Sequence, residues 1–342
     1  MRRRSHHGLA PAVLCVGLAL MLTGCRTEGP VPLDAYGYRG EVATPRDRLM
    51  ALNALDARVN AVGFRLSVAN VELCPRTGPI TGLLLHSESQ YADYLRAAAR
   101  EDWQLRGDLP GVAAVAPDSP AADAGLRVGD LLLSADGQPF LEGGPVEDAG
   151  FDGLSQNLTM LADALDDSSA ELVVERNGQR LTLRLGSVTG CAYPFQLDPS
   201  ADFYAKGDGE RVFISSALAA LSPVDDDLAV VLGHELAHNV LEHRAYFDEV
   251  GIARDVLGNW GIAPWALVQA ERDADRVGLF LSARAGFDPA RAGPYWRMLS
   301  ARLPQLRMVQ WGHPSAGERI QSLEGVAEEI AVLRAAGQPL IP

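Results

Sequence analysis

Residues 234–238 read His234-Glu235-Leu236-Ala237-His238, and 33 positions beyond His238 stands Glu271, at the head of the run Glu271-Arg272-Asp273-Ala274-Asp275. Positions i and i+4 of a helix stack on one face. His234 and His238 therefore converge on a single metal ion, each through one imidazole nitrogen at roughly 2.0–2.1 Å. Glu235, beside the first ligand, reaches a water on the ion without binding the ion itself, where a general base belongs.

The helix carrying this motif has start signals. Ser222 is placed to cap it, Pro223 suits the first helical position, and Asp225, Asp226 and Asp227 complement the positive end of the dipole. Leu228, Val231 and Leu232 follow at helical spacing, and Ala229 and Gly233 are small enough for a neighbour to approach. The pattern predicts a buried helix presenting polar groups inward. Ionisable groups there are costly without partners, and a metal supplies one.

The third ligand decides which kind of zinc helix this is. Metzincins need a glycine three positions and a histidine six positions after the second ligand; here Leu241 and Arg244 stand there, which excludes that class. A second helix is expected from Pro264 to Gly286, with Pro289 just beyond. It holds Glu271 and Asp275 on one face, the first as a zinc ligand and the second orienting a ligand histidine. Glu242, Asp248, Glu249 and Asp255 lie between the helices, so spacing alone leaves the third ligand open.

The His-Glu-Leu-Ala-His run, Glu271 to Gly278, and His313-Pro314-Ser315 with Arg319-Ile320 together resemble metallopeptidase family 48 over residues 46–75 and 191–335. The resemblance implies an α+β fold: a mostly helical zincin (gluzincin-type) domain with a small sheet, binding one Zn2+ per chain. It maps the third ligand onto Glu271, and it implies that His313 and Arg319 lie near the metal, stabilising the oxyanion or gating the site. His243 reads as a partly exposed helix residue, and His6, His7 and His86 carry no pattern.

Integral-membrane members of that family have transmembrane helices around the zinc motif. This chain departs from them, having no uncharged apolar run of membrane length after its first 25 residues. Attachment is instead expected at the N-terminus. Met1-Arg2-Arg3-Arg4 is a basic start, Leu9 to Leu22 is a short apolar stretch, and Leu22-Thr23-Gly24-Cys25 resembles a bacterial lipobox, so Cys25 is expected to be lipidated after loss of residues 1–24. The chain would face the periplasm or the cell surface.

The 30 Lys+Arg and 44 Asp+Glu give a net charge of −14, which the loss of three arginines would take to −17. Nucleic acid is excluded as a partner on that charge, and contact with anionic lipid is left to the acyl anchor. Of four cysteines, Cys74 and Cys191 remain for an exported, oxidising compartment, where a disulfide is expected; a zinc site is the rival use, but the two lack nearby partner ligands.

Between those cysteines, the stretch from Gly111 to Gln138 resembles a bacterial PDZ domain. Val112 to Val115 and Leu131 to Leu133 read as strands, Ala121 to Ala124 as a helical turn and Leu158 to Leu165 as a helix. Glu171 to Glu175 and Leu181 to Leu185 form a hairpin around Asn177-Gly178. Peptide capture would be by strand addition, with Thr81 to Leu85 receiving a terminal carboxylate.

The expected organisation is a signal peptide at 1–24, a tether at 25–45, an N-terminal peptidase helix at 46–75, a PDZ-like insertion at 76–190 and the zinc core at 191–342. Leu49, Leu52, Leu55, Val59, Val62 and Leu66 give the first helix its apolar face. The core, about 180 residues, is large enough to bury a real interior. Val212 to Ser215 is expected to pair with extended substrate. The residues predict hydrolysis of a peptide bond with Glu235 as general base. A second function class, a chaperone or scaffold that binds envelope proteins through the PDZ and rarely cuts, fits the same domains.

Overall fold

The computed structural model describes residues 44–144, 149–251, 263–303 and 314–342. The expected signal peptide, residues 25–43 of the tether with Cys25, and His313 lie outside the described residues.

Helix α1, Pro45–Ala69, begins with a capping box: the Thr44 hydroxyl accepts from the Asp47 N–H, and the Asp47 carboxylate accepts from the Thr44 N–H. Its apolar stripe, Leu49 through Leu66, is buried along its length. The stripe serves two cores. Leu49 packs with Trp103, Leu131 and Leu172 of the insertion, whereas Leu55, Val59, Val62 and Leu66 pack with Leu228, Leu232 and Phe280 of the zinc core. Expected as the N-terminal helix of the peptidase domain over residues 46–75, α1 thus contributes mainly to that core and, at Leu49, to the insertion. Periodicity reports that a face is buried and not against what.

The insertion is closed at its neck. Strand β1 (Thr77–Ile80) pairs antiparallel with β8 (Val188–Cys191), Thr77 opposite Cys191, and the Cys74–Cys191 disulfide closes the same junction across 117 positions of sequence. Beyond the neck a sheet runs in the order β2 (Leu83–His86), β3 (Gly111–Val115), β4 (Leu131–Ala135), β6 (Ser169–Arg176), β7 (Gln179–Gly186), with β5 (Gln138–Pro139) beside β4. Helices α2 (Asp93–Trp103), α3 (Pro120–Asp123) and α4 (Asp152–Ala164) accompany it. The β6–β7 turn puts Asn177 at φ 52° and Gly178 at φ 75°. Two successive positive φ values match the twist of the hairpin, which is why Asn-Gly favours it.

The zinc core contains a three-stranded sheet, β10 (Ala205–Gly207), β11 (Val212–Ser215) and β9 (Phe195–Asp198), in that order. β11 is antiparallel to β10 and parallel to β9. Both edges of β11 are used, so the expectation that Val212 to Ser215 pairs with substrate is corrected: that strand is interior, and β10 and β9 form the edges.

Around the sheet lie α5 (Ser216–Ala220), α6 (Asp225–Val240), α7 (His243–Glu249), α8 (Ala263–Arg284), α9 (Ala292–Arg302) and α10 (Ala316–Ala335). Helix α6 starts later than the sequence suggests. Its N-cap is Val224, and the buried Ser222 hydroxyl bonds Tyr295 Oη at 2.7 Å instead of capping. The acidic first turn pins neighbours. Arg58 of α1 donates to Asp225, the Asp288 N–H donates to Asp226, and Arg291 donates to both oxygens of Asp227 at 3.0 and 2.9 Å. The helix that carries the motif is thus fixed at its start to two other segments, α1 and the turn from Asp288 to Arg291.

Candidate metal centre

Helices α6 and α8 cross where both are glycine. A Cβ on Gly233 would lie 2.7 Å from the Gly278 carbonyl oxygen, and one on Gly278 would lie 2.7 Å from the His234 backbone N and Cα. This approach brings Glu271, two turns before Gly278, level with the histidine pair.

The Nε2 atoms of His234 and His238 are 3.1 Å apart. Glu271 Oε2 lies 3.4 Å from the first and its Oε1 3.5 Å from the second. One ligand atom from each residue lies within 4.8 Å of the others. Two imidazole nitrogens and a carboxylate oxygen, converging at a cleft, form the donor set of a three-ligand zinc site that leaves a position for water or substrate. The residues fit the ion.

The ligands are held from behind. Asp275 Oδ1 is 3.0 Å from His234 Nδ1. Buried Arg319 donates to that same oxygen from Nε at 3.0 Å and from Nη2 at 2.6 Å, and its guanidinium lies 3.8 Å from the centre of the Trp296 ring. Arg319 therefore neutralises the buried carboxylate that orients His234, and Trp296 covers it. His243 is the partly exposed helix residue expected, at the start of α7, and it is also placed at the site: its Nδ1 is 3.0 Å from Nδ1 of His238, and it lines the cleft.

Electrostatics follow from burial and these partners. Burial and Arg319 oppose a proton on His234, but the bonds to Asp275 and Glu271 outweigh them and raise it to about 9. Burial, aided by His234, lowers His238 to about 3, and burial lowers His243. Burial is also the main reason the Glu235 carboxyl is raised, although the Gly207 N–H, donating to it, acts the other way. A raised carboxyl suits a group that must take up a proton and release it.

The cleft, of about 390 Å³, has the motif on one side and Tyr204 to Gly207 on the other. The spacing of β10 from α6 is set by Asn239, which is buried: its Oδ1 accepts from the Gly209 N–H at 2.7 Å, and its Nδ2 donates to the Arg211 carbonyl at 2.9 Å. A Cβ at Gly207 would fall 2.5 Å from the Glu235 carbonyl oxygen, so the strand comes in at glycine distance. Neither Asn239 nor β10 was singled out in the sequence. Three residues make too short a strand to show an alternating pattern.

A buried helix with two histidines at i and i+4, a carboxylate from a second helix and a glutamate facing the same cleft match the donor and base arrangement of gluzincin-class metallopeptidases. The family model described as Peptidase family M48 matches residues 192–263, and one described as PDZ domain matches residues 111–151. Residues 192–263 are thus similar to family M48 metallopeptidases and residues 111–151 to PDZ domains.

Relatives agree with both. The mitochondrial metalloendopeptidase OMA1 of Schizosaccharomyces pombe is 28% identical over 160 residues, covering 40% of this chain and 47% of that protein. OMA1 of Homo sapiens is 25% identical over 171 residues, 40% of this chain and 32% of its own length. A probable periplasmic serine endoprotease, DegP-like, of Pseudomonas savastanoi is 42% identical over 80 residues, 22% of this chain and 14% of that protein. The chain spans less than half the length of each.

Proposed function

We propose that the chain is a zinc-dependent endopeptidase of the bacterial cell envelope that cuts unfolded or misassembled proteins. The observation that carries this is the convergence of His234, His238 and Glu271 beside Glu235, in a cleft walled by an edge strand.

His234, His238 and Glu271 would hold the zinc, which when bound acidifies water and polarises a carbonyl. Glu235 takes the proton of the attacking water and hands it to the departing amine nitrogen. Asp275 and Arg319 keep the His234 ring in place while charge develops. The backbone of β10 bonds an extended peptide, whose side chains are then read only by the walls of the cleft. A folded protein rarely offers such a strand, so the geometry selects unfolded segments. Strand β2, which pairs with β3 alone among the described residues, offers a second place for strand addition, and there a substrate would be caught before it is cut.

Location completes the proposal. Cys25 would carry the lipid, with the rest of the chain facing the periplasm or the cell surface; no described helix is long and apolar enough to cross a membrane. The deciding experiment incubates the purified chain with a reduced, unfolded protein and with its folded form, with and without a chelator. Zinc-dependent cleavage of the unfolded form is expected. Binding without cleavage would support the scaffold function in its place.

A further inference from the structure

We propose that His243 is a positioning residue of the metal centre: its Nδ1 accepts a hydrogen bond from the Nδ1–H of His238 and holds that ring with Nε2 toward the ion. The inference rests on the reading of His234, His238 and Glu271 as ligands.

The backbone makes the contact possible. On an unbroken helix, residues five apart are turned about 140° from each other around the axis, and His243 would face away from His238. Helix α6 instead stops at Val240, and Glu242 takes φ 53° and ψ 32°, a left-handed conformation that residues other than glycine seldom adopt. Helix α7 then starts in a new direction with His243 as its first residue. The two rings meet edge to face, 5.0 Å between centres and 71° apart. Behind His243 the buried Phe247 ring stacks at 6.1 Å and 28°.

Proton placement follows from the distances. Two ring nitrogens 3.0 Å apart share one N–H between them. Nε2 of His238 is the atom that converges with His234 and Glu271, and a nitrogen that binds an ion carries no proton. The proton of neutral His238 is therefore on Nδ1, so His238 donates, and His243 accepts with its own proton on Nε2.

His234 is held in the same manner by Asp275. The two ligands thus have different backing groups, a carboxylate and an imidazole. A neutral acceptor orients His238 without adding charge to a site that already contains Glu235, Glu271 and Asp275.

The test uses the full mature chain, stripped of metal, and measures zinc affinity by competition with a chromophoric chelator. It also records the visible absorption of the cobalt(II) form. His243→Phe keeps a ring on Phe247 but removes the acceptor; His243→Asn supplies an amide oxygen in its place. The phenylalanine variant is expected to bind zinc about 10–100-fold more weakly with altered cobalt bands, and the asparagine variant to recover most of the loss.

Zinc affinity of His243→Phe within two-fold of wild type overturns the assignment, whatever happens to proteolysis. Should that variant not fold, His243→Ala is compared with His243→Asn, and equal affinities overturn it. A wild-type chain that binds no zinc would defeat the reading of the site itself; tight wild-type binding with unaffected variants defeats this inference alone.

Discussion

Gly278 of α8 lies against the backbone of His234, close enough that a single added methyl would stand 2.7 Å from the His234 N and Cα. The metal centre depends on this crossing, because the ligands of α6 and the carboxylates of α8 meet only if the helices touch. Gly278→Ala is expected to destabilise the chain by about 1–3 kcal/mol through overpacking and to lower zinc content. Gly325 of α10 is the control, since a Cβ there meets nothing within 4 Å. Its change to alanine should leave zinc unaltered and raise stability by up to about 1 kcal/mol. Chemical denaturation and metal analysis of both variants check this.

Glu235→Gln should retain one zinc per chain and lose proteolysis by at least about 100-fold, the range for removal of a positioned acid–base group. Unchanged turnover would remove Glu235 from the mechanism. The same variant, expressed in its native host, should retain bound substrate proteins.

Ligand and orienting carboxylates are separable. Glu271→Ala should lose metal outright; a purified variant still holding one zinc would mean that another acid supplies the third ligand. Asp275→Asn should weaken zinc binding by about 10–100-fold without abolishing it, and excess zinc should restore part of its activity.

The disulfide closes a long loop, so its removal should act mainly on the unfolded state. With the cysteines 117 positions apart in sequence, replacing Cys74 and Cys191 by serine is expected to cost on the order of 4–5 kcal/mol, read from the shift in the denaturation midpoint. Free thiols at both positions in the wild-type chain, found by mass mapping without reductant, would contradict the pairing.

His86 in the insertion predicts a pH effect away from the metal. It is fully buried, with Nδ1 2.7 Å from Tyr91 Oη, and burial lowers it to about 3. The unfolded chain therefore takes up a proton below about 6.5 that the folded chain refuses. Stability supplied by neutral His86 is present above that pH and is lost as pH falls from about 6.5 toward 3. Burial raises Asp56 of α1, whose charge acts on Tyr91, to about 7, which gives the opposite slope between its unfolded value and 7. The diagnostic quantity is therefore a difference. The stability of wild type relative to His86→Gln should shrink on acidification across this window, and a difference that is flat with pH would reject it.

Much of the site was legible because it is local. The i, i+4 histidines, the adjacent Glu235 and the face shared by Glu271 and Asp275 are consequences of helical geometry, and the hairpin at Asn177-Gly178 follows from backbone preference. The third ligand was not fixed by spacing. Only the resemblance pointed to Glu271 before the α6–α8 crossing brought it to His234 and His238.

What stayed hidden depended on breaks in regularity and on partners distant in sequence. Glu242 gives no sign in sequence of a left-handed conformation, so the contact between His243 and His238 is not legible there. Ser222 has the chemistry of a cap, but Tyr295 takes its hydroxyl. A strand signal at Val212 to Ser215 cannot say whether that strand is central or at an edge.

The sequence by itself determined the local features: a histidine pair at helical spacing with Glu235 beside it, the apolar face of α1 and the hairpin at Asn177-Gly178, since these depend on side-chain type and on contacts within a few residues. Tertiary structure alone decided the arrangement: α1 shared between two cores, β10 as the wall of the cleft, Arg319 bound to Asp275 and His243 behind His238. Those relationships are set by packing between segments up to more than a hundred residues apart, where a one-dimensional pattern records that a face is buried but not what meets it.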